Sequence, residues 1–180
     1  ARANAKTTNT GATLSPDGRF VYFGSHAGGY GGENLGAYQV IALDRNNGRE
    51  VWRHEVAPFD QQYFTSNVPM PIGDNLLVGT GNDLDAPAFL KSLDPRTGAV
   101  KWILYSTPQK EGDPGLETWA SLDAARHGNG ATWIPGAYDP DTKLYIYGTG
   151  NPTPSYTQGR GEGDNLFTSS LLAVNVDTGK

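Results

Sequence analysis

Two side chains invite a chemical reading, Trp133 and Asn151. They lie within Asn129 to Pro152, N-G-A-T-W-I-P-G-A-Y-D-P-D-T-K-L-Y-I-Y-G-T-G-N-P. Trp133 offers a large flat ring. Asn151, in the corner Gly148-Thr149-Gly150-Asn151-Pro152, offers a neutral amide oxygen. Between them, Tyr138-Asp139-Pro140 signals a turn and Leu144-Tyr145-Ile146-Tyr147 is rich in strand formers. Two neighbouring antiparallel strands would then carry the ring and the oxygen. Such a pair can hold a planar cofactor on one side and a metal ion on the other. The plainer alternative is a core Trp and a turn Asn, both of them common.

The elements that must position these residues come as a repeat. Ala42-Leu43-Asp44-Arg45-Asn46-Asn47-Gly48-Arg49-Glu50-Val51-Trp52 recurs as Ser92-Leu93-Asp94-Pro95-Arg96-Thr97-Gly98-Ala99-Val100-Lys101-Trp102, and again, cut short, as Val174 to Lys180. With Asp44, Asp94 and Asp177 aligned, the intervals are 50 and 83 residues, so the third unit carries an insertion. The motif reads as a hairpin: apolar residues end one strand, Asp and Gly make the turn, and a Trp on the next strand packs between sheets.

Each unit has four strand signals. The first has Thr13-Leu14, Phe20 to Gly24, Gln39 to Leu43 and Glu50 to Glu55. The second has Asn67 to Ile72, Asn75 to Gly79, Phe89 to Leu93 and Val100 to Tyr105. The third has Ala131 to Tyr138, Leu144 to Gly148 and Ser169 to Asn175, without a fourth. Four-stranded units at this period predict an all-β fold made of β-propeller blades. The blades span approximately 11–56, 64–106 and 129–180, the last incomplete. No helix is expected beyond a turn around Ser121 to Arg126.

Composition agrees. The 180 residues include 24 Gly, 12 Pro, nine Tyr, six Phe and four Trp, which suits short strands joined by many turns. A net charge of −5 without a basic patch argues against nucleic acid as a partner. No apolar run approaches the roughly 18 residues of a membrane-spanning helix. With no Cys, disulfides say nothing about compartment. The opening residues lack the apolar core of a signal peptide, and the last four stop inside a repeat, so the chain reads as a segment of a longer protein.

Three connections are long. Ser25 to Gly36 is dense in Gly and suits close approach to a ligand or a neighbouring chain. Ser106 to Asn129 leads into the third unit and Thr153 to Asn165 lies within it; long loops on two successive connections of one blade suggest that it borders a site. Within them, Asp164 and Arg160 are expected to pair across their loop, and His127 beside Arg126 reads as a loop hydrogen-bonder.

Four features together resemble the pyrroloquinoline-quinone (PQQ)-dependent alcohol dehydrogenases, the quinoproteins. They are the Asp-x-x-x-Gly-x-x-x-Trp repeats, Gly130-Ala131-Thr132-Trp133, the Gly148 to Pro152 corner, and Gly163-Asp164-Asn165-Leu166-Phe167-Thr168-Ser169-Ser170. The resemblance covers nearly the whole chain and is strongest from about Asn67 onward. It implies an eight-bladed propeller with the quinone and a metal ion near the central axis. It implies that Trp133 is the floor on which PQQ stacks, with Thr132 beside it, and that Asn151 gives its amide oxygen to Ca²⁺ or a lanthanide. A hard cation takes oxygen ligands, and the bound metal acts as a Lewis acid on the quinone.

The family also uses a carboxylate ligand, expected eleven residues before the Asp of the hairpin turn. Glu33 and Asp83 both meet that spacing, relative to Asp44 and Asp94. Asp83 belongs to the blade just before Trp133 and is preferred; Asp85 is a further substitute. With Asp83 in that role, Thr80 and Gly81 would line the quinone's carboxylates. The resemblance places the catalytic base beyond Lys180, so no catalytic residue is assigned here. The vicinal disulfide of many members has no counterpart, since Cys is absent.

These expectations make the chain part of an enzyme oxidising small alcohols. Electrons would pass to cytochrome c or a membrane quinone, in the periplasm. One competing class is a non-catalytic propeller of the same repeat type, acting as an assembly or binding scaffold. Another is a glycan-binding or sugar-oxidising propeller. A scaffold needs Trp52 and Trp102 but has no use for Trp133, Asn151 and a carboxylate converging on one axis.

Overall fold

The computed structural model describes residues 11–25, 37–58, 60–61, 63, 67–82, 85–155 and 158–180. Eleven strands form three antiparallel sheets. The first sheet is a meander of β1 (Ala12–Leu14), β2 (Phe20–Ser25), β3 (Tyr38–Asp44) and β4 (Glu50–Ala57). The second is β5 (Met70–Ile72), β6 (Asn75–Gly79), β7 (Phe89–Leu93) and β8 (Val100–Tyr105). The third is β9 (Ala137–Asp139), β10 (Leu144–Gly148) and β11 (Leu171–Asn175). These are two complete blades and a three-stranded third, as the repeat predicts.

Alternation along the strands builds the core. β6 and β7 are buried on both faces, because the second blade is covered by a blade on either side. Leu76, Val78 and Leu93 join Tyr22, Tyr38, Val40 and Ala42 of the first blade. Leu77 and Leu90 instead join Tyr145, Tyr147, Val174 and Val176 of the third. Each such aliphatic side chain contributes about 1.5–3 kcal/mol through burial.

The repeated hairpin turn is an Asx turn. The Asp44 carboxylate accepts the N–H groups of Asn46 and Asn47 at 2.8 and 3.2 Å, and Asp94 accepts those of Arg96 and Thr97 at 2.7 and 3.1 Å. Gly48 and Gly98 then close the turn with positive φ, 68° and 73°. In the third blade the acceptor is Asn175, not Asp177. Its amide oxygen takes the N–H groups of Asp177 and Thr178 at 3.0 and 3.2 Å, and Gly179 has φ 71°. The true interval from Asp94 is therefore 81 residues, because an amide oxygen serves the turn as well as a carboxylate does. Asp177 faces the seam instead, accepting from Lys143 at 3.0 Å and from Asn75 at 3.2 Å.

Each turn docks the Trp of the preceding blade. Trp52 donates its indole N–H to the Pro95 carbonyl at 3.1 Å, and Trp102 donates to that of Val176 at 2.9 Å. A Cβ on Gly98 would lie 2.7 Å from the Trp52 ring, and one on Gly179 2.7 Å from the Trp102 ring. The turn glycine thus serves twice, once for φ and once for the ring it receives.

Three strands are shorter than expected. In place of Ala131 to Tyr138, only Ala137–Asp139 is strand, because residues before it bond elsewhere: Thr132 N–H to Thr80, and Gly136 N–H to the Tyr145 hydroxyl. In place of Asn67 to Ile72, the strand starts at Met70, since Pro69 lends its carbonyl to the Thr13 hydroxyl at 2.6 Å. In place of Ser169 to Asn175, it starts at Leu171, since Ser169 has φ 47°. The turn expected near Ser121 is a short helix, α1 (Leu122–His127), capped by the Ser121 hydroxyl accepting from Ala124 N–H at 3.0 Å.

Candidate cofactor and metal site

The site lies where the backbone of residues 130–133 passes between the second blade and the Gly148 to Pro152 corner. On one side, Thr132 N–H donates to the Thr80 carbonyl at 3.0 Å, and Thr80 N–H donates to the Thr132 hydroxyl at 2.8 Å. Both Thr hydroxyls donate to the Phe89 carbonyl, at 3.0 Å from Thr80 and 2.8 Å from Thr132. The Thr80 hydroxyl also accepts from Phe89 N–H at 2.9 Å. These two buried residues are thus committed to stitching the blades together. Gly79 is required here, because a Cβ would overlap the Thr132 carbonyl oxygen. Asn67 completes the stitch by donating to that same carbonyl at 3.0 Å.

On the other side, Gly150 N–H donates to the Ala131 carbonyl at 2.8 Å, and Gly130 pairs with Pro152 in an antiparallel bridge. Asn151 therefore lies between these two pairings, and Trp133 two residues beyond Ala131. Trp133 is 47% exposed and Ile134 49%, whereas Trp119 is only 6% exposed. The stitch below and the open ring above are what a stacking floor requires.

Asn151 is exposed. Its amide NH₂ donates to the Pro152 carbonyl at 3.2 Å and the Ser155 hydroxyl at 3.0 Å. That orients the side chain and leaves its oxygen without a hydrogen bond among the described residues. A fixed, neutral, unused oxygen suits a hard cation, so Trp133 and Asn151 fit the groups that the sequence implies. Gly81 is buried and follows Thr80 directly. Asp83 and Glu33 lie outside the described residues.

Several supporting residues had escaped the sequence reading. Asn129, fully buried, donates to the carbonyls of Asn82 and Ala86, both at 2.9 Å, and so clasps the two ends of the 82–86 connection. Its position at the head of Asn129-Gly130-Ala131-Thr132-Trp133 was the available signal. Asp85 accepts or shares the His127 Nδ1 proton at 2.9 Å, with Asp123 3.6 Å from Nε2, so His127 is a loop hydrogen-bonder as expected.

The two long connections pack on each other. Trp119 donates to the Leu166 carbonyl at 2.7 Å, Ala120 N–H to that of Arg160 at 2.9 Å, and Phe167 N–H to that of Ser106 at 3.0 Å. Arg160 does not pair with Asp164. Its guanidinium reaches back to the carbonyls of Pro152 and Pro154, at 3.0 and 3.1 Å, because two inward carbonyls outcompete a solvated carboxylate.

Residues 57–180 match the PQQ family described as glucose/ethanol/alcohol dehydrogenase, β-propeller domain. The chain is 32% identical over 160 residues to the quinoprotein alcohol dehydrogenase PedH of Pseudomonas putida, covering 78% of this chain and 26% of that protein. It is 31% identical over 159 residues to methanol dehydrogenase [cytochrome c] subunit 1 of Methylobacterium organophilum, covering 78% and 25%. Among solved structures, a europium-containing methanol dehydrogenase superposes with a TM-score of 0.81 at 26% identity, over 94% of this chain and 30% of that one. The chain spans about a quarter of the length of these curated relatives. It belongs to the PQQ family of glucose, ethanol and alcohol dehydrogenases, as a portion of its β-propeller.

Proposed function

We propose that this chain is the part of a PQQ-dependent alcohol dehydrogenase that seats the quinone and supplies an oxygen to its metal ion. The observation that carries this reading is the joint display of Trp133 and Asn151 by the pairings of Ala131 with Gly150 and Gly130 with Pro152. Trp133 forms the floor for the planar ring. Gly81 is the further backbone contact we assign to the quinone, whereas Thr132 and Thr80, buried with their backbone groups and hydroxyls bonded to each other, to Asn67 and to Phe89, brace the segment that carries Trp133. Asn151 is one metal ligand, and the carboxylate comes from Asp83, with Glu33 as the alternative. When bound, PQQ supplies an acceptor for the alcohol's hydride, and Ca²⁺ or a lanthanide polarises the quinone carbonyl.

The europium in the structural relative supports the lanthanide option. The name of the methanol dehydrogenase relative supports cytochrome c as electron acceptor, with a membrane quinone as the other possibility. A periplasmic location follows from the same kinship. The scaffold reading is disfavoured, because the relatives matched over this segment are dehydrogenases.

The test uses the full-length protein with PQQ and Ca²⁺ or Eu³⁺, read by absorption spectrum and dye-linked alcohol oxidation. Trp133→Ala should weaken quinone affinity roughly 10-fold, about 1.4 kcal/mol of lost ring contact. Asn151→Ala should abolish metal-dependent turnover while leaving quinone uptake measurable. Equal quinone uptake by wild type and Trp133→Ala would remove the stacking role.

A further inference from the structure

We infer that Arg160 is a positioning residue for the metal-binding corner, a role that rests on Asn151 being a metal ligand. The corner is short and rich in residues that cannot hold themselves in place. Pro152 and Pro154 have no N–H to donate, so beyond the Gly130–Pro152 bridge they add no donor that could extend a strand ladder. Thr153 is 2% exposed, and its hydroxyl finds no partner among the described residues. The segment beside Asn151 is therefore held by the single Gly130–Pro152 bridge and not by a continued strand ladder.

Arg160 supplies the missing restraint. One of its terminal nitrogens donates to both the Pro152 and Pro154 carbonyls, at 3.0 and 3.1 Å. These carbonyls bracket Thr153. The Pro152 carbonyl also accepts the Asn151 amide at 3.2 Å. One carbonyl thus joins the guanidinium to the side chain whose oxygen faces the metal. Fixing it fixes the direction of the amide, and so the direction of the free oxygen.

The anchor is itself anchored. The Arg160 carbonyl accepts from Ala120 N–H at 2.9 Å and from Asn165 Nδ2 at 3.2 Å. Asn165 is buried and also donates to the Thr118 carbonyl at 3.2 Å. Both long connections are tied to the corner through this one residue. The two N–H groups of one planar terminal nitrogen are fixed in direction toward the two carbonyls, which a rotating ammonium holds less rigidly. Because Arg160 carries a positive charge, its gain for a cation site comes from geometry alone, with its charge spent on carbonyl dipoles.

The experiment titrates Ca²⁺ and, separately, Eu³⁺ into the metal-free, full-length enzyme by calorimetry, for wild type, Arg160→Ala, Arg160→Lys and Asn151→Ala. Outer residues that orient a metal ligand typically change affinity by roughly 10–100-fold when lost. Arg160→Ala should weaken metal binding within that range and lower kcat, with KM for the alcohol and the melting temperature of the metal-free enzyme little changed. Arg160→Lys should fall between wild type and Arg160→Ala, and it stands in if Arg160→Ala does not fold. Metal affinity unchanged in both Arg160 variants, with Asn151→Ala weakened, would overturn the positioning role and leave Asn151 as ligand. Unchanged affinity in Asn151→Ala would overturn the ligand reading and this inference with it.

Discussion

The repeated hairpin turns and the 130–133 segment use the same residue type for opposite ends. At the turns, Trp52 and Trp102 each lay an indole against the next blade's turn glycine and give the N–H to a turn carbonyl. In the 130–133 segment, Trp133 follows a stitched backbone with nearly half its surface exposed. The turn arrangement recurs with the repeat, as packing does. The Trp133 arrangement is not repeated among the described residues and sits beside a corner that breaks the strand pattern. A tryptophan repeated in register marks the framework; one out of register is either packing, as Trp119 is, or a candidate contact surface, as Trp133 is.

This contrast can be broken by mutation. The largest expected effect is at the turns. Trp102→Ala should cost about 3 kcal/mol of stability, through lost burial and the cavity left against Gly179. Trp133→Ala should leave denaturant midpoints almost unmoved in the absence of quinone. If the two variants lose similar stability, the division between framework and site fails.

A smaller effect sharpens the turn's geometry. Gly98→Ala would both strain a residue at φ 73° and press a methyl group into the Trp52 ring. The cost should be about 2 kcal/mol in chemical denaturation. In a Trp52→Ala background the steric part should vanish and only the backbone part remain. An unchanged penalty in that background would show that the ring and the glycine are not coupled.

The smallest effect is a pH dependence in the first seam. His54 has a buried Nε2 without a partner among the described residues. Burial, and then the charge of Lys91, holds its pKa below the usual histidine value of 6.5. Lys91 itself is buried, donating to the Val56 carbonyl at 2.8 Å, with Glu55 the nearby opposing charge. A depressed histidine pKa means that the unfolded chain takes up the proton first. Stability is therefore full above pH 6.5 and falls as pH drops toward the folded-state pKa. One proton limits this to at most about a tenfold change in the folding equilibrium per pH unit. His54→Gln should flatten that slope between pH 6.5 and 5, measured by denaturant midpoints, and an unaltered slope would assign it to other groups.

The candidate site was legible in part. Trp133 and Asn151 stood out because flat rings and amide oxygens at strand ends are local features of sequence. Arg160 was misjudged because the nearest charge in sequence, Asp164, is not its nearest partner in space. Asn129 and Asn67 were missed because their value lies in carbonyls 43–65 residues away, on other segments. The third turn was misaligned by two residues because Asn175 does an acid's work, which appears only once its hydrogen bonds are seen.

By itself, the sequence determined the all-β class, the blade count and the strand cores of each sheet. Those follow from period-two alternation, turn chemistry and repeat spacing, all of which act over a few neighbouring residues. Tertiary structure decided which hydroxyls are spent on stitching, which ring stays open, where Arg160 reaches and which residue closes the third turn. Each depends on a hydrogen bond or contact between segments far apart in the chain. Only folding chooses among the partners that residue type alone allows.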